Sequence, residues 1–135
     1  MVTKYQKRIS GLLLDRIDIH IEVPRVDCIK LSGDRVGEVS EAIRVRDQAA
    51  HNIQQQRFAS SQSEIICNAD MRVGEIRQFC KLQDEGQILM RAAMTQLNLS
   101  ARAYHCTLNL THTITDLAGS EEIQSTHLAG ALQYR

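Results

Sequence analysis

The spacing of apolar residues changes once along this chain, at Pro24, the only proline in the sequence. Before Pro24, apolar and polar residues alternate as they do in a half-buried strand, and the apolar members are Ile17, Ile19, Ile21 and Val23. After it, apolar residues recur every third or fourth position, which is the period of an amphipathic helix. Because proline donates no ladder hydrogen bond, we expect the strand to end there. The pattern predicts a mainly α protein, one strand followed by about five helices.

Five segments after the proline carry the helical spacing. We expect helices at 34–58, 70–80, 84–97 and 100–119, and a last one from residue 125. Ser32 or Asp34 can cap the first of them, Asn68 or Asp70 the second, and Ser100 the fourth. On the third helix the predicted inward face comprises Ile88, Leu89, Ala92, Ala93 and Leu97.

The predicted fourth helix is rich in residues that form helices poorly, namely Thr107, Asn109, Thr111, Thr113 and Thr115. Together they are expected to cost on the order of 2 kcal/mol, a large share of a small domain's stability. We therefore expect this helix to be weak, and its threonines to be improvable by alanine wherever they are exposed.

Length, charge balance and the length of apolar runs disfavour several classes of function. The 135 residues fit one domain, and sixteen basic and sixteen acidic side chains cancel, so no overall field attracts nucleic acid or an anionic membrane. On the first helix, arginines such as Arg57 alternate with acidic residues, which is typical of a solvated face. No apolar run is long enough to span a bilayer, so the expected location is the cytoplasm.

Neither the cysteines nor the histidines are spaced along the sequence as the ligands of a metal site usually are. The four cysteines form no Cys-x-x-Cys pair, which favours reduced thiols with structural roles: Cys28, Cys67, Cys80 and Cys106. His105 and His112 share a helical face but lie about 10 Å apart along the axis, too far to bind one ion together. We expect no metal site.

Several segments in order resemble the C-terminal region of the ComM/YifB subfamily of magnesium-chelatase-related AAA+ ATPases, a competence protein family. The segments are KRISG at 7–11, LLLDRIDIHIEVP at 12–24, NIQQQRF at 52–58, LNLSARAYH at 97–105 and HLAGALQYR at 127–135. The resemblance implies that residues 1–33 form the end of an AAA+ core, with its last strand. It also implies that residues 34–135 form a C-terminal helical bundle resembling an AAA+ lid.

The same resemblance implies roles for two arginines. Arg16, in the Leu-Asp-Arg-Ile-Asp run, matches the arginine finger that reaches into the neighbouring subunit's catalytic site. Arg102 matches the second sensor, which contacts nucleotide phosphates from the start of a lid helix. The alternatives are a surface pair of Arg16 with Asp15 or Asp18 and a solvated Arg102. The segment after Arg102 also lacks the basic residues of the family pattern.

The function implied for the full-length family is an ATP-driven hexameric ring that promotes DNA branch migration in natural transformation and recombination, with ATP and Mg²⁺ as cofactors. This chain contains no Gly-x-x-x-x-Gly-Lys-Ser/Thr loop. Alone it should therefore neither hydrolyse ATP nor require a cofactor. Its expected partners are further copies or neighbouring AAA+ subunits, and it would meet DNA only through the full ring.

Two other hypotheses remain open. The chain is alternatively a stand-alone helical interaction module whose exposed strand pairs with a partner's sheet, or a truncated copy without function. A small nucleic-acid-binding domain is disfavoured by the balanced charge and by the presence of only three Tyr, two Phe and no Trp.

Overall fold

The computed structural model describes residues 11–26, 32, 37–59 and 64–135, and these residues are mainly helical, as predicted. The helices are α1 (Gly11–Leu14), α2 (Ser40–Phe58), α3 (Val73–Phe79), α4 (Asp84–Gln96), α5 (Ala101–Leu117) and α6 (Ser125–Leu132). A 3₁₀ turn at Asn68–Asp70 lies between α2 and α3.

The predicted strand at 17–23 is not formed. Within the described residues, a single backbone hydrogen bond joins this segment to a distant part of the chain, from His20 N–H to Tyr134 O at 2.8 Å. A strand requires a ladder of such bonds to a neighbouring strand, and the described part of the chain supplies none. Residues 17–26 are therefore irregular or extended, with Ile21 and Val23 exposed.

α4, α5 and α6 begin within one residue of their predicted starts, whereas α3 begins later. α2 begins at Ser40, and the predicted start at Asp34 lies outside the described residues. α3 begins three residues after Asp70, whose carboxylate accepts bonds from the N–H groups of Ile66 and Cys67, each at 3.2 Å. Asp70 thus closes the 3₁₀ turn instead of capping α3. These backbone bonds, and then the Cys67 thiol, lower the pKa of the Asp70 carboxyl.

The buried face of α4 is rotated from the predicted one. Gly86, Met90 and Ala93 are buried, whereas Ile88 is 68% exposed. Gly86 faces the Leu82 side chain, where a Cβ would lie 3.4 Å from Leu82 Cβ. The sequence pattern alone could not choose between these faces, because apolar residues surround much of this helix.

One hydrophobic core lies around α5, which packs against α2, the 3₁₀ turn, α3 and α6, while α4 packs against α6. Phe58 at the end of α2 meets Phe79 of α3 edge to face, with ring centroids 5.4 Å apart. Such aromatic pairs add to the free energy gained from burial alone. The buried core members are Phe58, Met71, Ile76, Cys80, Met90, Leu108, Ile123 and Leu128.

Three of the α5 threonines are buried in the structure. Thr107, Thr111 and Thr115 follow one another at four-residue steps and are buried, and α6 packs against α5. Each hydroxyl donates to the carbonyl four residues earlier, at 2.7–2.9 Å. A buried hydroxyl is satisfied in this way without a distant partner, and the compact side chain leaves room for α6. Helix propensity does not include this packing, which opposes the expected weakness of α5.

Candidate functional site

Residues 15–20, here called the docked segment, lie against the first half of α5. Ser100 Oγ accepts a bond from Ala103 N–H at 3.1 Å and so caps α5, as predicted. The same hydroxyl donates to Asp15 Oδ1 at 2.7 Å. The cap of α5 therefore also anchors the residue that precedes Arg16.

Arg135 joins the docked segment to α5 a second time. Its NH1 donates to Ile17 O at 3.1 Å and its NH2 to Ala103 O at 3.2 Å. Its Nε makes a longer contact of 3.4 Å with Thr107 Oγ1. One guanidinium thus spans three acceptors on two segments, and the backbone bond from His20 to Tyr134 lies next to it in the sequence.

The structure brings together, at the start of α5, the chain segments that carry Arg16 and Arg102. Arg16 follows Asp15 in the docked segment, and Arg102 lies in the first turn of α5, two residues after the cap that holds Asp15. Both are exposed. Within the described residues neither guanidinium forms an ion pair or a hydrogen bond. The expected alternative, a surface pair of Arg16 with Asp15 or Asp18, is not formed there.

A groove of about 610 Å³ opens beside Arg102, between the docked segment, α5 and the start of α3. Its walls are part apolar and part polar, and include Asp18, Ile19, Val73, Arg102 and Cys106. Burial, followed by the hydrogen bond and charge of Asp18, raises the pKa of the Cys106 thiol. That thiol is therefore a poor nucleophile.

A second group of polar side chains, here called the buried polar cluster, joins α2, the 3₁₀ turn and α5. Its centre is a two-point pairing of the Arg57 guanidinium with the Asp116 carboxylate, one bond at 3.0 Å and the other shorter. Asn68 Oδ1 accepts from Arg57 at 3.0 Å, and Asn68 Nδ2 donates to Asp116 Oδ2 at 2.8 Å. Gln54 Oε1 accepts from Asn68 N–H at 3.0 Å. The cluster fixes the end of α2 against α5.

Cys80 and His112 lie beside this cluster, with Cys80 Sγ 3.4 Å from His112 Nδ1. Burial lowers the pKa of His112 to about 4; the nearby Arg57 cation adds to this and the Asp116 carboxylate opposes it. Burial likewise raises the pKa of Cys80 to about 12. Both groups are uncharged at neutral pH, so this pair is not a thiolate–imidazolium nucleophile of the kind that cysteine hydrolases use.

Sequence reasoning missed the buried polar cluster, because Arg57 was assigned to the solvated face of its helix. That assignment holds for the first half of α2, where Arg44 pairs with Glu41 at 2.9 Å and Arg46 with Glu38 at 2.8 Å, all exposed. A helical signal was present for Arg57, which is seven residues after buried Ala50 and so lies on the same face.

Within the described ranges, no three His, Cys, Asp or Glu side chains are placed to hold a metal ion. None of the helices described is both long enough and apolar enough to cross a membrane.

Comparison with known proteins agrees with the mainly helical fold. Residues 37–135 match the family described as "Magnesium chelatase, subunit ChlI C-terminal", and residues 1–31 match "Magnesium chelatase, subunit ChlI". The first match covers more than half of the chain, so the chain belongs to the magnesium chelatase ChlI C-terminal family.

Among curated proteins, the chain is similar to Competence protein ComM of Haemophilus influenzae, with 38% identity over 99% of the chain. It is 37% identical, over 98% of its length, to the uncharacterized protein YifB of Escherichia coli. The uncharacterized protein Rv2897c of Mycobacterium tuberculosis is 26% identical over 98% of the chain. The chain is thus a ComM/YifB-like, magnesium-chelatase-related protein, and it spans about a quarter of the length of these relatives.

Proposed function

We propose that this chain is the C-terminal part of an AAA+ ATPase of the ComM/YifB type, with residues 1–33 ending the ATPase core and residues 34–135 forming its lid. Two observations support this division. The two family matches adjoin between residues 31 and 37. The helical bundle of α2–α6 also has its own hydrophobic core, as expected of a separate lid.

Within that assembly, Arg16 serves as the arginine finger and Arg102 as the second sensor. The observation that carries this proposal is the hydrogen bond between Asp15 and Ser100, which holds the neighbours of both arginines together while leaving both guanidinium groups exposed. A guanidinium stays charged at all relevant pH values and stabilises charge on a transferring phosphoryl group. Arg102 adds donors to the free N–H groups at the start of α5.

The whole motor would be a hexameric, cytoplasmic ring that uses ATP and Mg²⁺ to move DNA branches during transformation and recombination. The family resemblance implies this activity, and the name of the relative ComM, a competence protein, agrees with it. This chain would supply subunit contacts, the finger and the sensor, with the phosphate loop on another part of the motor. It would reach DNA only as part of the ring.

The test joins residues 5–135 to the ATPase core of a longer relative and measures ATP turnover and nucleotide affinity. We expect Arg16→Ala to lower kcat by at least about 10³-fold with nucleotide affinity nearly unchanged, because a finger acts mainly in the transition state. We expect Arg102→Ala to weaken nucleotide binding as well, because a sensor also contacts the ground-state phosphates.

The control for these variants is Arg91→Ala, which removes an exposed arginine of α4 whose guanidinium forms no hydrogen bond within the described residues. Turnover like that of the control in both single variants would reject the proposed roles.

A second candidate is a stand-alone helical interaction module, favoured by one observation. Val39, Ile43 and Val45, at and near the start of α2, are exposed apolar side chains. Light scattering of the chain with and without a longer relative distinguishes the two. A stable complex with an unrelated helical partner, but none with the relative, would support the module over the motor.

A further inference from the structure

Arg135 contacts the docked segment at a place that neither the finger nor the sensor occupies. Ile17 and Arg135 are 118 positions apart in the sequence, yet the Arg135 guanidinium donates to the carbonyl of Ile17. The same group donates to Ala103 O in the first turn of α5, which also accepts from the Thr107 hydroxyl at 2.8 Å. Arg135 is therefore placed between the segment of Arg16 and the helix of Arg102.

We propose that Arg135 is a positioning residue: its guanidinium holds the docked segment on α5 and so sets the position of Arg16 relative to Arg102. This inference rests on the proposed roles of those two arginines and extends them to a residue whose guanidinium contacts Ile17, Ala103 and Thr107. On the docked segment, Arg135 donates to a backbone carbonyl, that of Ile17. This attachment therefore does not depend on which side chain is present at residue 17.

The geometry requires the planar fork of an arginine. NH1 and NH2 point to acceptors on two different segments, 3.1 and 3.2 Å away, and Nε faces a third acceptor, Thr107 Oγ1, at 3.4 Å. A lysine ammonium is a compact charge that does not present donors in this fixed arrangement. The docked segment has few other fixed points, namely the bond from Ser100 to Asp15, that from His20 to Tyr134, and the hydrogen bond between Asp18 and Cys106. Removal of one of four attachments should therefore release it measurably.

The first experiment measures backbone ¹⁵N relaxation of this chain as it stands. In the wild type, residues 16–20 should have order parameters near those of α5, about 0.85, and in Arg135→Ala they should fall below about 0.6 while α5 stays rigid. Arg135→Lys should resemble Arg135→Ala. Arg135→Gln, which keeps much of the aliphatic stem, replaces the alanine variant if that variant unfolds. The matched control is Arg91→Ala, for which no change is expected.

The second experiment measures turnover in the protein joined to a relative's ATPase core. Arg135→Ala should lower kcat at least tenfold with KM for ATP nearly unchanged, and Arg16→Ala/Arg135→Ala should be no slower than Arg16→Ala alone. A loss of fold would instead change KM and the spectra of α5 and α6. This non-additivity is the sign of a residue that acts through Arg16.

The outcomes separate this inference from the proposed function. Rigid residues 16–20 in Arg135→Ala, or full turnover in that variant while Arg16→Ala is inactive, would overturn the positioning role alone. Mobile residues 16–20 in Arg135→Ala, with normal turnover in Arg16→Ala, would keep the attachment but reject the finger. In that case the claim that Arg135 positions a catalytic group is overturned as well.

Discussion

At the scale of single residues, the stability of this protein depends on a charge pair that lies inside it. The Asp116 side chain is fully buried, and the Arg57 side chain is 17% exposed. Two charges removed from water cost several kcal/mol each, which their attraction and further hydrogen bonds must offset. Asn68 supplies such a bond to each partner: its Oδ1 accepts from Arg57 NH1 and its Nδ2 donates to Asp116 Oδ2.

We expect Asp116→Ala to destabilise the protein by about 3–5 kcal/mol, because it leaves the Arg57 cation buried without its counter-ion. The double variant Arg57→Met/Asp116→Leu should lose much less than the single variant, because no unpaired charge remains. Urea unfolding measures both. Asp47→Ala, an exposed carboxylate on the same helix as Arg57, should stay within about 0.5 kcal/mol of the wild type. A loss in Asp116→Ala no larger than in Asp47→Ala would contradict this account.

At the scale of elements, α5 gains from packing what its threonines lose in helix propensity. Thr111 has no exposed surface, and its hydroxyl donates to Thr107 O at 2.7 Å. On the next turn, Thr115 Oγ1 also lies 3.0 Å from His127 Nδ1, which connects α5 to the first turn of α6. The buried threonines thus lie on a helix that packs against α6, and Thr115 contacts α6 directly.

The matched variants are Thr111→Ala and Thr95→Ala, one buried in α5 and the other exposed on α4. Both threonine hydroxyls donate to the carbonyl four residues earlier, so the two changes remove the same local bond. Thr111→Ala should cost about 1–2 kcal/mol, because it leaves a small cavity. Thr95→Ala should gain a few tenths of a kcal/mol from propensity alone. Thermal unfolding measures both changes. A rise in Tm for Thr111→Ala would contradict this account and support the expectation that alanine stabilises the threonine-rich helix.

At the scale of the whole molecule, charge is balanced at neutral pH and one histidine is held neutral. His112 is buried among α2, α3 and α5, whereas His51 is exposed on α2. In the unfolded chain the pKa of His112 is near its ordinary value of 6.5, and burial in the folded chain lowers this pKa to about 4. Stability that is present above pH 6.5 is therefore lost as the pH falls towards 4, since the unfolded state binds the proton first.

Between pH 7 and pH 5 we expect the free energy of unfolding to fall by about 2 kcal/mol through this group. The measurement is urea unfolding at a series of pH values for the wild type, His112→Gln and His51→Gln. His112→Gln should flatten the decline over this interval even if it lowers stability at pH 7. His51→Gln should keep the wild-type slope. Equal slopes in all three proteins would remove His112 as the cause.

The sequence by itself determined the local features. The mainly α class, the presence of α2–α6 and the Ser100 cap follow from residue spacing and side-chain chemistry within a few positions. The stop after α5 is equally local, because Gly119 has φ of +64°, a conformation that favours glycine. The family resemblance was also contained in short motifs, and the match of residues 37–135 confirms it.

Only the tertiary structure decided the features that depend on partners far along the chain. Burial of Arg57 required Asp116, 59 residues later, and the docked segment required Arg135. Alternation at 17–23 could not produce a strand without a neighbouring ladder, and threonine propensity could not reveal that Thr111 is buried. Each of these outcomes is set by the free energy of a contact between distant segments, which no window of neighbouring residues contains.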